Sequence, residues 1–285
     1  MSGRAELLSW EDAVVWLRSQ PDQRQLVVDA YYDDPLIAAA ERYFAGSEWQ
    51  EIARLLSGRS GKALDIGAGR GIASYALART GFEVTALEPD PSAIVGAAAI
   101  RRLGREAALP ISVVEEFSER LPFADGSFDV VYARAVLHHT KSLERACAEM
   151  FRVLRAGGLL IAVREHVISK QQDLAKFHAI HPLHHLYGGE HAYPLDQYVG
   201  ALKAAGFASL EVLSPLQSPI NLFPHTIDTL RNAVLEKVAQ RLPGRPLWRL
   251  LLGQDRIFRP LLAVAERFDH RPGRLYSFVG HKAPR

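Results

Sequence analysis

The chain has 285 residues, of which 48% are hydrophobic and 23% are charged, a composition typical of a protein that buries a full core. Its formal net charge of +2 is small for this length, so the overall charge does not favour nucleic-acid binding. The single cysteine, Cys147, excludes an internal disulfide framework and a thiolate metal cluster, and it favours a reducing compartment.

The N-terminal segment, residues 1–20, mixes acidic residues with apolar ones and contains no uninterrupted hydrophobic run. This pattern differs from that of a secretory signal peptide. No apolar run elsewhere in the sequence approaches the roughly 18 residues that a membrane-spanning helix needs. We therefore expect a cytoplasmic protein without a membrane span.

The first part of the chain predicts helices separated by polar breaks. Ser9, with Asp12 three positions later, is typical of a helix start, and Ser47 begins another predicted helix that ends near Gly58. Pro35 begins a helix between them. We expect residues 1–60 to form an N-terminal helical cap.

From residue 62 onward, short apolar strands alternate with helices. The predicted strands are KALDI, FEVTALE, ISVVEE, SFDVVYA, LLIAVRE, FASLEVLS and RLYSFVGHK. One intervening helix is predicted to begin at Ser92, and another to be closed by Gly157 and Gly158. The alternation predicts an α/β fold: a Rossmann-like, doubly wound, mostly parallel seven-stranded sheet with helices on both faces. Such sheets bind ligands at the carboxyl ends of their strands.

Two segments interrupt this alternation. A histidine-rich segment follows Glu165, and a mostly helical segment with several prolines lies between the last two predicted strands. We therefore expect one α/β domain over residues 61–285, with insertions at about 166–193 and 215–272.

The first predicted strand leads into three glycines at alternate positions, in the sequence ALDIGAGRG of residues 63–71. The dinucleotide fingerprint G-x-G-x-x-G places its third glycine one residue later, where this chain has Ile72. A nucleotide-hydrolysing phosphate loop would end in Gly-Lys-Ser/Thr, which is absent here. The loop therefore disfavours a nicotinamide cofactor and nucleotide hydrolysis.

Two acidic residues indicate which ligand the glycine loop binds. Asp65 stands two residues before the first glycine, where a carboxylate would repel a pyrophosphate and attract an ammonium group. Glu88 ends the second predicted strand and can accept hydrogen bonds from both hydroxyls of a ribose. A ligand with a ribose, a positively charged amino-acid part and no phosphate is S-adenosyl-L-methionine.

Three motifs, in this order, resemble the class I S-adenosylmethionine-dependent methyltransferases, and within them the branch with quinone-pathway and natural-product enzymes. The motifs are ALDIGAGRGIASYALARTGFEVTALEPDPSAI, LPFADGSFDVVYARAVLHH and MFRVLRAGGLLIAVRE, and together they cover most of residues 62–165. The resemblance implies methyl transfer, with S-adenosyl-L-homocysteine as the product.

The resemblance also implies which residues hold the cofactor. Asp65 and the glycine-loop backbone would hold the methionine part, Glu88 the ribose, and the residues after Glu88 the adenine. The family usually has an aspartate at the position of Phe117, so either Glu116 accepts from the adenine amino group or Phe117 packs on the ring. The predicted cofactor-binding residues are Asp65, Gly67, Ala68, Gly69, Gly71, Glu88, Pro89, Asp90, Glu116, Phe117, Ser118 and Arg134.

Candidate catalytic residues follow the fourth strand and lie in the histidine-rich segment. His138 or His139 would serve as a general base or a substrate contact, or one of them would simply pack locally. The segment from residue 166 to 191 holds six histidines and would be an active-site lid, a metal site or plain surface. Because its spacing matches no standard ligand pattern, we predict no metal. The catalytic candidates are His138, His139, His185, Glu190 and His191.

The C-terminal part of the chain is basic. Residues 231–285 contain twelve lysines and arginines and four acids, which gives +8 here and, from the total of +2, −6 for the rest. The segment 244–270 interleaves arginines with large apolar residues. It predicts either peripheral contact with an anionic membrane or two amphipathic helices with a solvated arginine face. It lacks a recognisable nucleic-acid-binding module.

The sequence thus predicts an S-adenosylmethionine-dependent methyltransferase of a small or medium-sized organic molecule, with oxygen favoured over nitrogen or carbon as the acceptor atom. Two alternatives remain open. One is a non-catalytic protein that binds the cofactor or serves as a scaffold. The other is a membrane-surface methyltransferase of a lipophilic or lipid-linked acceptor. The sequence leaves the oligomeric state open.

Overall fold

The protein is built around one mostly parallel sheet. The computed structural model describes residues 7–180, 183–187 and 191–284, but not the side chains of residues 184 and 185. Across the sheet the strands lie in the order β3-β2-β1-β4-β5-β8-β7, and β6 pairs with β5. The strands are β1 (Lys62–Ile66), β2 (Glu83–Leu87), β3 (Ile111–Val114), β4 (Phe128–Arg134), β5 (Leu154–Ile168), β6 (Tyr193–Pro194), β7 (Ser209–Leu213) and β8 (Arg274–His281).

The strand order reverses next to β1, which positions the ligand site. β1 pairs in parallel with β2 on one side and with β4 on the other, so that Ile66 lies beside both Leu87 and Ala133. The chain therefore leaves the carboxyl ends of β1 and β4 in different directions and opens a crevice there. Only β8 runs antiparallel to its neighbours, β5 and β7, in the described sheet.

The predicted fold class is confirmed, with one correction to the number of strands. All seven predicted strands are present, and an eighth, β6, arises within the histidine-rich segment, where Tyr193 pairs with Val167. A two-residue strand has no alternation of apolar and polar residues that a sequence pattern could reveal. Its pairing partner, rather than its own sequence, makes it a strand.

Helices cover both faces of the sheet and precede its first strand. Short 3-10 turns occur at Pro21–Gln23, Leu137–His139 and Gln171–Asp173. The α-helices are α1 (Trp10–Ser19), α2 (Arg24–Asp29), α3 (Leu36–Ala45), α4 (Ser47–Leu55), α5 (Ile72–Arg79), α6 (Ala97–Glu106), α7 (Leu143–Val153), α8 (Leu174–Ile180), α9 (His184–Tyr187), α10 (Leu195–Ala205), α11 (Pro219–Leu222), α12 (Ile227–Arg241), α13 (Arg245–Leu252) and α14 (Asp255–Arg267).

Two predicted helix boundaries are wrong. The helix predicted from Ser92 begins only at Ala97, because the Ser92 hydroxyl accepts the N–H groups of Ile94 and Val95 and closes a turn. The helix predicted to end at Gly157 ends at Val153, because the next residue, Leu154, already pairs with Phe128 as part of the long strand β5.

The N-terminal helices pack on the sheet domain at two places. Helices α3 and α4 join the main core, where the hydroxyls of Tyr43 and Tyr132 lie 2.9 Å apart. Helix α1 begins at the expected Ser9 cap and packs through Leu17 in a smaller cluster with Val95 and Leu183. No helix within the described ranges is both long and apolar enough to cross a membrane.

Candidate active site

A cavity of about 770 Å³ lies at the carboxyl ends of the central strands. One wall is the glycine loop after β1 together with the end of β2. The opposite walls come from α1, from the segment after α2, from the turn after β4, from the histidine-rich segment and from Pro224. The N-terminal helices and both insertions therefore contribute to one site.

The glycine loop owes its shape to residues without a side chain. Gly67, Gly69 and Gly71 all have positive φ, at 60°, 54° and 83°. A Cβ at Gly67 would lie 2.7 Å from Val136 Cγ2, whereas a Cβ at Gly69 would meet nothing closer than the Val95 carbonyl at 3.8 Å. The loop thus packs tightly at Gly67 and leaves open space over Gly69, where a ligand can approach the backbone.

Asp65 is the next-to-last residue of β1, beneath the loop, and is almost fully buried, at 1% exposure. Its Oδ2 accepts a 2.6 Å hydrogen bond from Ser74 Oγ at the start of α5. Burial raises the pKa of Asp65 to about 7, which the Ser74 hydrogen bond opposes only in part. A positively charged ligand group in the cavity would therefore stabilise the ionised carboxylate.

Glu88, just beyond β2, holds the loop from the other side. Its Oε2 accepts the Gly69 N–H at 2.7 Å, and its Oε1 accepts the Asp90 N–H at 3.0 Å. Burial raises the pKa of Glu88 to about 7 as well, despite these two hydrogen bonds. Two carboxyl groups of raised pKa thus flank the glycine loop at the cavity wall.

The third part of the predicted cofactor site lies beyond Glu88. Pro89, Asp90 and residues 116–118 line the same cavity. Phe117 is exposed, and Lys141 Nζ lies 5.5 Å from its ring centroid. The Glu116 carboxylate accepts the Phe117 N–H at 2.9 Å.

With one exception, the structure brings the predicted cofactor residues together. Gly71 does not line the cavity; it precedes α5, and a Cβ there would lie 3.1 Å from Ile100 Cγ2. Gly71 thus allows α5 to lie close to Ile100. The other predicted cofactor residues line the cavity: Asp65, Gly67, Ala68, Gly69, Glu88, Pro89, Asp90, Glu116, Phe117, Ser118 and Arg134.

Arg70, which the sequence reasoning did not single out, ties the N-terminal helices to the glycine loop. Its buried guanidinium donates from Nη1 to the carbonyls of Tyr31 and Asp33, each at 2.8 Å, and its Nη2 contacts the Asp34 carboxylate. These contacts hold the segment after α2 over the cavity. The only feature of the sequence that could have indicated this role is the position of Arg70 between two glycines of the loop.

Among the catalytic candidates, His138 has the most defined environment. Its Nδ1 lies 2.8 Å from Oε2 of Glu165, a fully buried carboxylate that also accepts the N–H groups of Val136, Leu137 and His138. Because a carboxylate is the acceptor here, Nδ1 carries the proton and Nε2 is the basic nitrogen of the neutral ring. The His138 ring lines the cavity.

Glu165 is a second residue that the sequence reasoning missed. It is the last residue of the predicted strand LLIAVRE, which placed it at the carboxyl edge of the sheet. Its pairing with His138 depends on the neighbouring strands β4 and β5 and could be read only from the assembled sheet.

Aromatic rings surround His138. The rings of His139 and His166 lie 4.3 Å and 4.7 Å from it, centroid to centroid. Trp10 of α1 is 6.0 Å from His139 and 5.2 Å from Tyr187. All of these residues line the cavity. The part of the cavity away from the glycine loop is therefore suited to a flat, largely apolar molecule.

The structure places only some of the histidine-rich candidates. His191 lines the cavity, and its N–H donates to the His138 carbonyl at 2.7 Å. Glu190 lies outside the described residues, and nothing is described of the His185 side chain. The alternative metal site would combine His181, His184 or His185 with Glu190 or His191, and of these side chains the structure describes only that of His191.

A buried ion cluster adjoins the cavity behind Arg134. Both oxygens of Glu48, on α4, accept from Arg134, Nε at 2.6 Å and Nη2 at 3.0 Å. Arg164 contributes a second guanidinium 3.8 Å from Glu48 and donates to the carbonyls of Ile220 and Phe223. Two arginines with one carboxylate leave a net positive charge, and both arginines line the cavity.

The doubly wound sheet, the glycine loop after its first strand and the acidic residues at the ends of its first two strands agree with the resemblance to class I methyltransferases. A family model described as a methyltransferase domain matches residues 64–162. Residues 64–162, which include the glycine loop, Glu88 and His138, are thus similar to a methyltransferase domain.

Curated relatives are similar to the chain over this part. A protein described as an uncharacterized methyltransferase, from Mycobacterium sp. (strain JLS), is 33% identical over 176 residues, which are 62% of this chain and 58% of that protein. A ubiquinone biosynthesis O-methyltransferase from Methylobacterium nodulans is 29% identical over 161 residues, or 55% and 64% of the two chains. The chain thus spans less than two thirds of the length of these relatives.

Solved structures share the fold at low sequence identity. Phosphoethanolamine N-methyltransferase 2 from Haemonchus contortus, in complex with S-adenosyl-L-methionine, has a TM-score of 0.53 and 19% identity and covers 92% of this chain and 60% of its own. The cyclase SpnF has a TM-score of 0.51 and 21% identity, covering 83% and 81%. Because a cyclase shares the fold, the fold alone does not establish the reaction.

Proposed function

We propose that the protein transfers a methyl group from S-adenosyl-L-methionine to a hydroxyl oxygen of a small, flat acceptor. The observation that carries this proposal is that two groups line the same cavity. One group is the Asp65 and Glu88 carboxyls around the glycine loop, and the other is the His138–Glu165 pair. The first set suits the cofactor and the second suits an acceptor that must lose a proton.

The residues of the glycine-loop side fit S-adenosyl-L-methionine. The open space over Gly69 admits a ligand close to the backbone, and Asp65 would pair with the ammonium group of the methionine part. Arg134, whose neighbour Ala133 pairs with Ile66, would meet the carboxylate of that part. Glu88 would exchange backbone hydrogen bonds for the ribose hydroxyls, with Pro89 and Asp90 beside the adenine.

The cofactor, when bound, supplies a methyl group on a positively charged sulfur, which keeps the bonding electron pair when the methyl group leaves. The chain contributes alignment and proton removal. His138 Nε2 would take the acceptor's hydroxyl proton, and Glu165 would stabilise the resulting imidazolium while holding the ring in place. The surrounding rings would hold the acceptor and exclude water.

The choice of oxygen rests on this base and on the named relatives. An amine needs only to arrive neutral, whereas a hydroxyl acceptor usually needs a base. The relatives from Methylobacterium nodulans and Agrobacterium fabrum carry the name ubiquinone biosynthesis O-methyltransferase, which agrees with an oxygen acceptor.

Calorimetric titration tests the cofactor, with S-adenosyl-L-methionine and S-adenosyl-L-homocysteine compared against NAD. We expect both sulfur nucleosides to bind and NAD not to. Failure of both to bind the folded protein would refute the proposed function.

A panel of phenols and catechols with labelled S-adenosyl-L-methionine then tests the chemistry. Substituting His138→Gln should lower kcat by roughly 10²- to 10⁴-fold without changing the affinity for S-adenosyl-L-homocysteine. The control is His270→Gln, an exposed histidine outside the cavity. Unchanged turnover in His138→Gln would refute the assignment of the base, and methylation of amines alone would refute the oxygen acceptor.

A further inference from the structure

The helices α13 and α14, inserted between β7 and β8, carry an unusual concentration of exposed apolar residues. Six of the twelve large hydrophobic side chains that are exposed in the described residues fall between residues 242 and 268. Five of them belong to α13 and α14 or directly follow α14, and each of these is at least half exposed: Leu247, Leu250, Leu261, Val264 and Phe268. We call these five residues the apolar stripe.

The apolar stripe does not belong to the core of this insertion. Leu252, Phe258 and Leu262 face inward and form a small cluster with Leu235 of α12. Because 261, 264 and 268 are three and four positions apart, they follow one side of α14, which borders the side that carries Phe258 and Leu262. Both helices therefore have one packed face and one unpartnered apolar face within the described part of the protein.

Exposed arginines lie on the same two helices as the apolar stripe. Arg249, Arg256 and Arg267 have no carboxylate partner among the residues that the structure describes. The Arg256 Nε donates instead to the neutral Gln254 side chain at 2.7 Å. Their positive charges are therefore directed to solvent.

The two acids of α13 and α14 are already engaged elsewhere. Asp255 pairs with Arg231 and with Arg259, the latter at 3.3 Å. The Glu266 carboxylate accepts the Leu216 N–H and a hydrogen bond from Gln217. Neither carboxylate is available to neutralise the arginines beside the apolar stripe.

We propose that α13 and α14 dock this face on a bilayer of anionic phospholipids. Amphipathic helices of this kind bury apolar residues at the boundary between headgroups and acyl chains while arginines meet the phosphates. A second copy of the chain is a poorer partner, because a symmetric contact would set the same arginines against one another. The complementary surface is one with dense negative charge and an apolar interior.

The position of the insertion links this surface to the cavity. Pro224 shortly precedes α12, and Leu275 follows α14 as β8 begins; both residues line the cavity. The two chain segments that connect the docked insertion to the sheet domain would thus also form part of the active-site wall. The docking itself does not depend on the proposed methyl transfer.

Co-sedimentation of the full chain with lipid vesicles tests the proposal. We expect binding to vesicles of phosphatidylglycerol mixed with phosphatidylcholine, weakened by salt, and little binding to phosphatidylcholine alone. The triple variant Arg249→Gln, Arg256→Gln, Arg267→Gln should bind about a hundredfold more weakly, since each arginine near an anionic surface contributes roughly a factor of five. The double variant Leu261→Ser, Phe268→Ser should lose binding at low salt as well.

A charge-matched control distinguishes binding through this face from nonspecific attraction between the protein's positive charges and the vesicles. Arg54→Gln, Arg101→Gln, Arg105→Gln removes three exposed arginines on α4 and α6 and should leave vesicle binding unchanged. Equal losses in both triple variants, or no binding of the folded wild type to anionic vesicles, would overturn the proposal. So would a concentration-dependent dimer in sedimentation velocity that Leu261→Ser, Phe268→Ser dissolves. Titration of the same variants with S-adenosyl-L-homocysteine tests cofactor binding independently, so a failure of vesicle binding can be distinguished from a failure of the proposed function.

Discussion

Asp65 shows how burial changes what one residue can do. In the cofactor-free cavity its pKa is raised to about 7 by burial, so the ionised and protonated forms have similar populations near neutral pH. An ammonium group brought beside it would favour the ionised form. Ligand affinity should therefore depend on pH in a way that an exposed aspartate would not produce.

We predict that Asp65→Asn weakens binding of S-adenosyl-L-homocysteine by about 1–3 kcal/mol at pH 8, the contribution of hydrogen bonds to a charged group. The difference between wild type and variant should shrink as the pH falls below 7, because wild-type Asp65 then becomes protonated before binding. Calorimetric titration across pH 5.5 to 8.5 measures this, with Asp90→Asn as a control at the same cavity. An equal difference at every pH would contradict the role given to the carboxylate.

Individual site residues differed in how far the sequence could predict them. Asp65 and Glu88 were predicted because each ends a recognisable strand beside the glycine loop, and the structure places both at the cavity. Gly71 was also predicted to bind the cofactor, and in the structure it lies beside Ile100 and does not line the cavity. Glu48 gave no signal, because only the tertiary contact of α4 with β4 brings it to Arg134.

At the scale of elements, the N-terminal helices are held over the cavity by one side chain of the glycine loop. Arg70 bridges from the loop to three residues after α2. Sequence patterns predicted helices in this region, but not that they would form a wall of the cavity. The contact joins residues 36 to 39 positions apart, beyond the reach of any local pattern.

We predict that Arg70→Met loosens this segment. The buried Tyr31 carbonyl and the half-buried Asp33 carbonyl would lose their donor, at a cost of about 1–3 kcal/mol in the free energy of unfolding. Cleavage by a protease in the 29–35 segment should accelerate, and affinity for S-adenosyl-L-homocysteine should fall. Arg101→Met, which removes a half-exposed arginine paired to Glu115 on the surface, is the control. The tether assignment fails if both variants behave like wild type.

At the scale of the whole molecule, two buried carboxyl groups connect the site to stability. Asp65 and Glu88 both have their pKa raised to about 7 by burial, well above the values expected in the unfolded chain. Between about pH 4 and pH 7 the folded protein therefore retains protons that the unfolded chain has released. The cofactor-free protein should lose stability as the pH rises through this range.

We predict that each of Asp65→Asn and Glu88→Gln flattens this dependence. Relative to wild type, each variant should gain stability from pH 4.5 to pH 8, by on the order of 3 kcal/mol at most. Urea unfolding of the cofactor-free proteins at several pH values measures the difference, and Asp196→Asn, on the surface helix α10, is the reference. Parallel pH profiles for all four proteins would show that these carboxyls do not titrate as described.

The sequence by itself predicted the sheet and its glycine loop and indicated a class of cofactor, because alternation of apolar runs, glycine spacing and strand-end acids are local features of the chain. It did not determine the two-residue strand β6, the end of α7 or the start of α6, where pairing or a side-chain cap overrides helix propensity. The acceptor side of the cavity was decided only by the tertiary structure. His138 contacts Glu165, and Trp10 contacts His139, because parallel strands and the N-terminal helices bring together residues that are far apart in the chain. The histidine-rich segment joins them in the same way. No pattern within one segment of the sequence encodes these contacts.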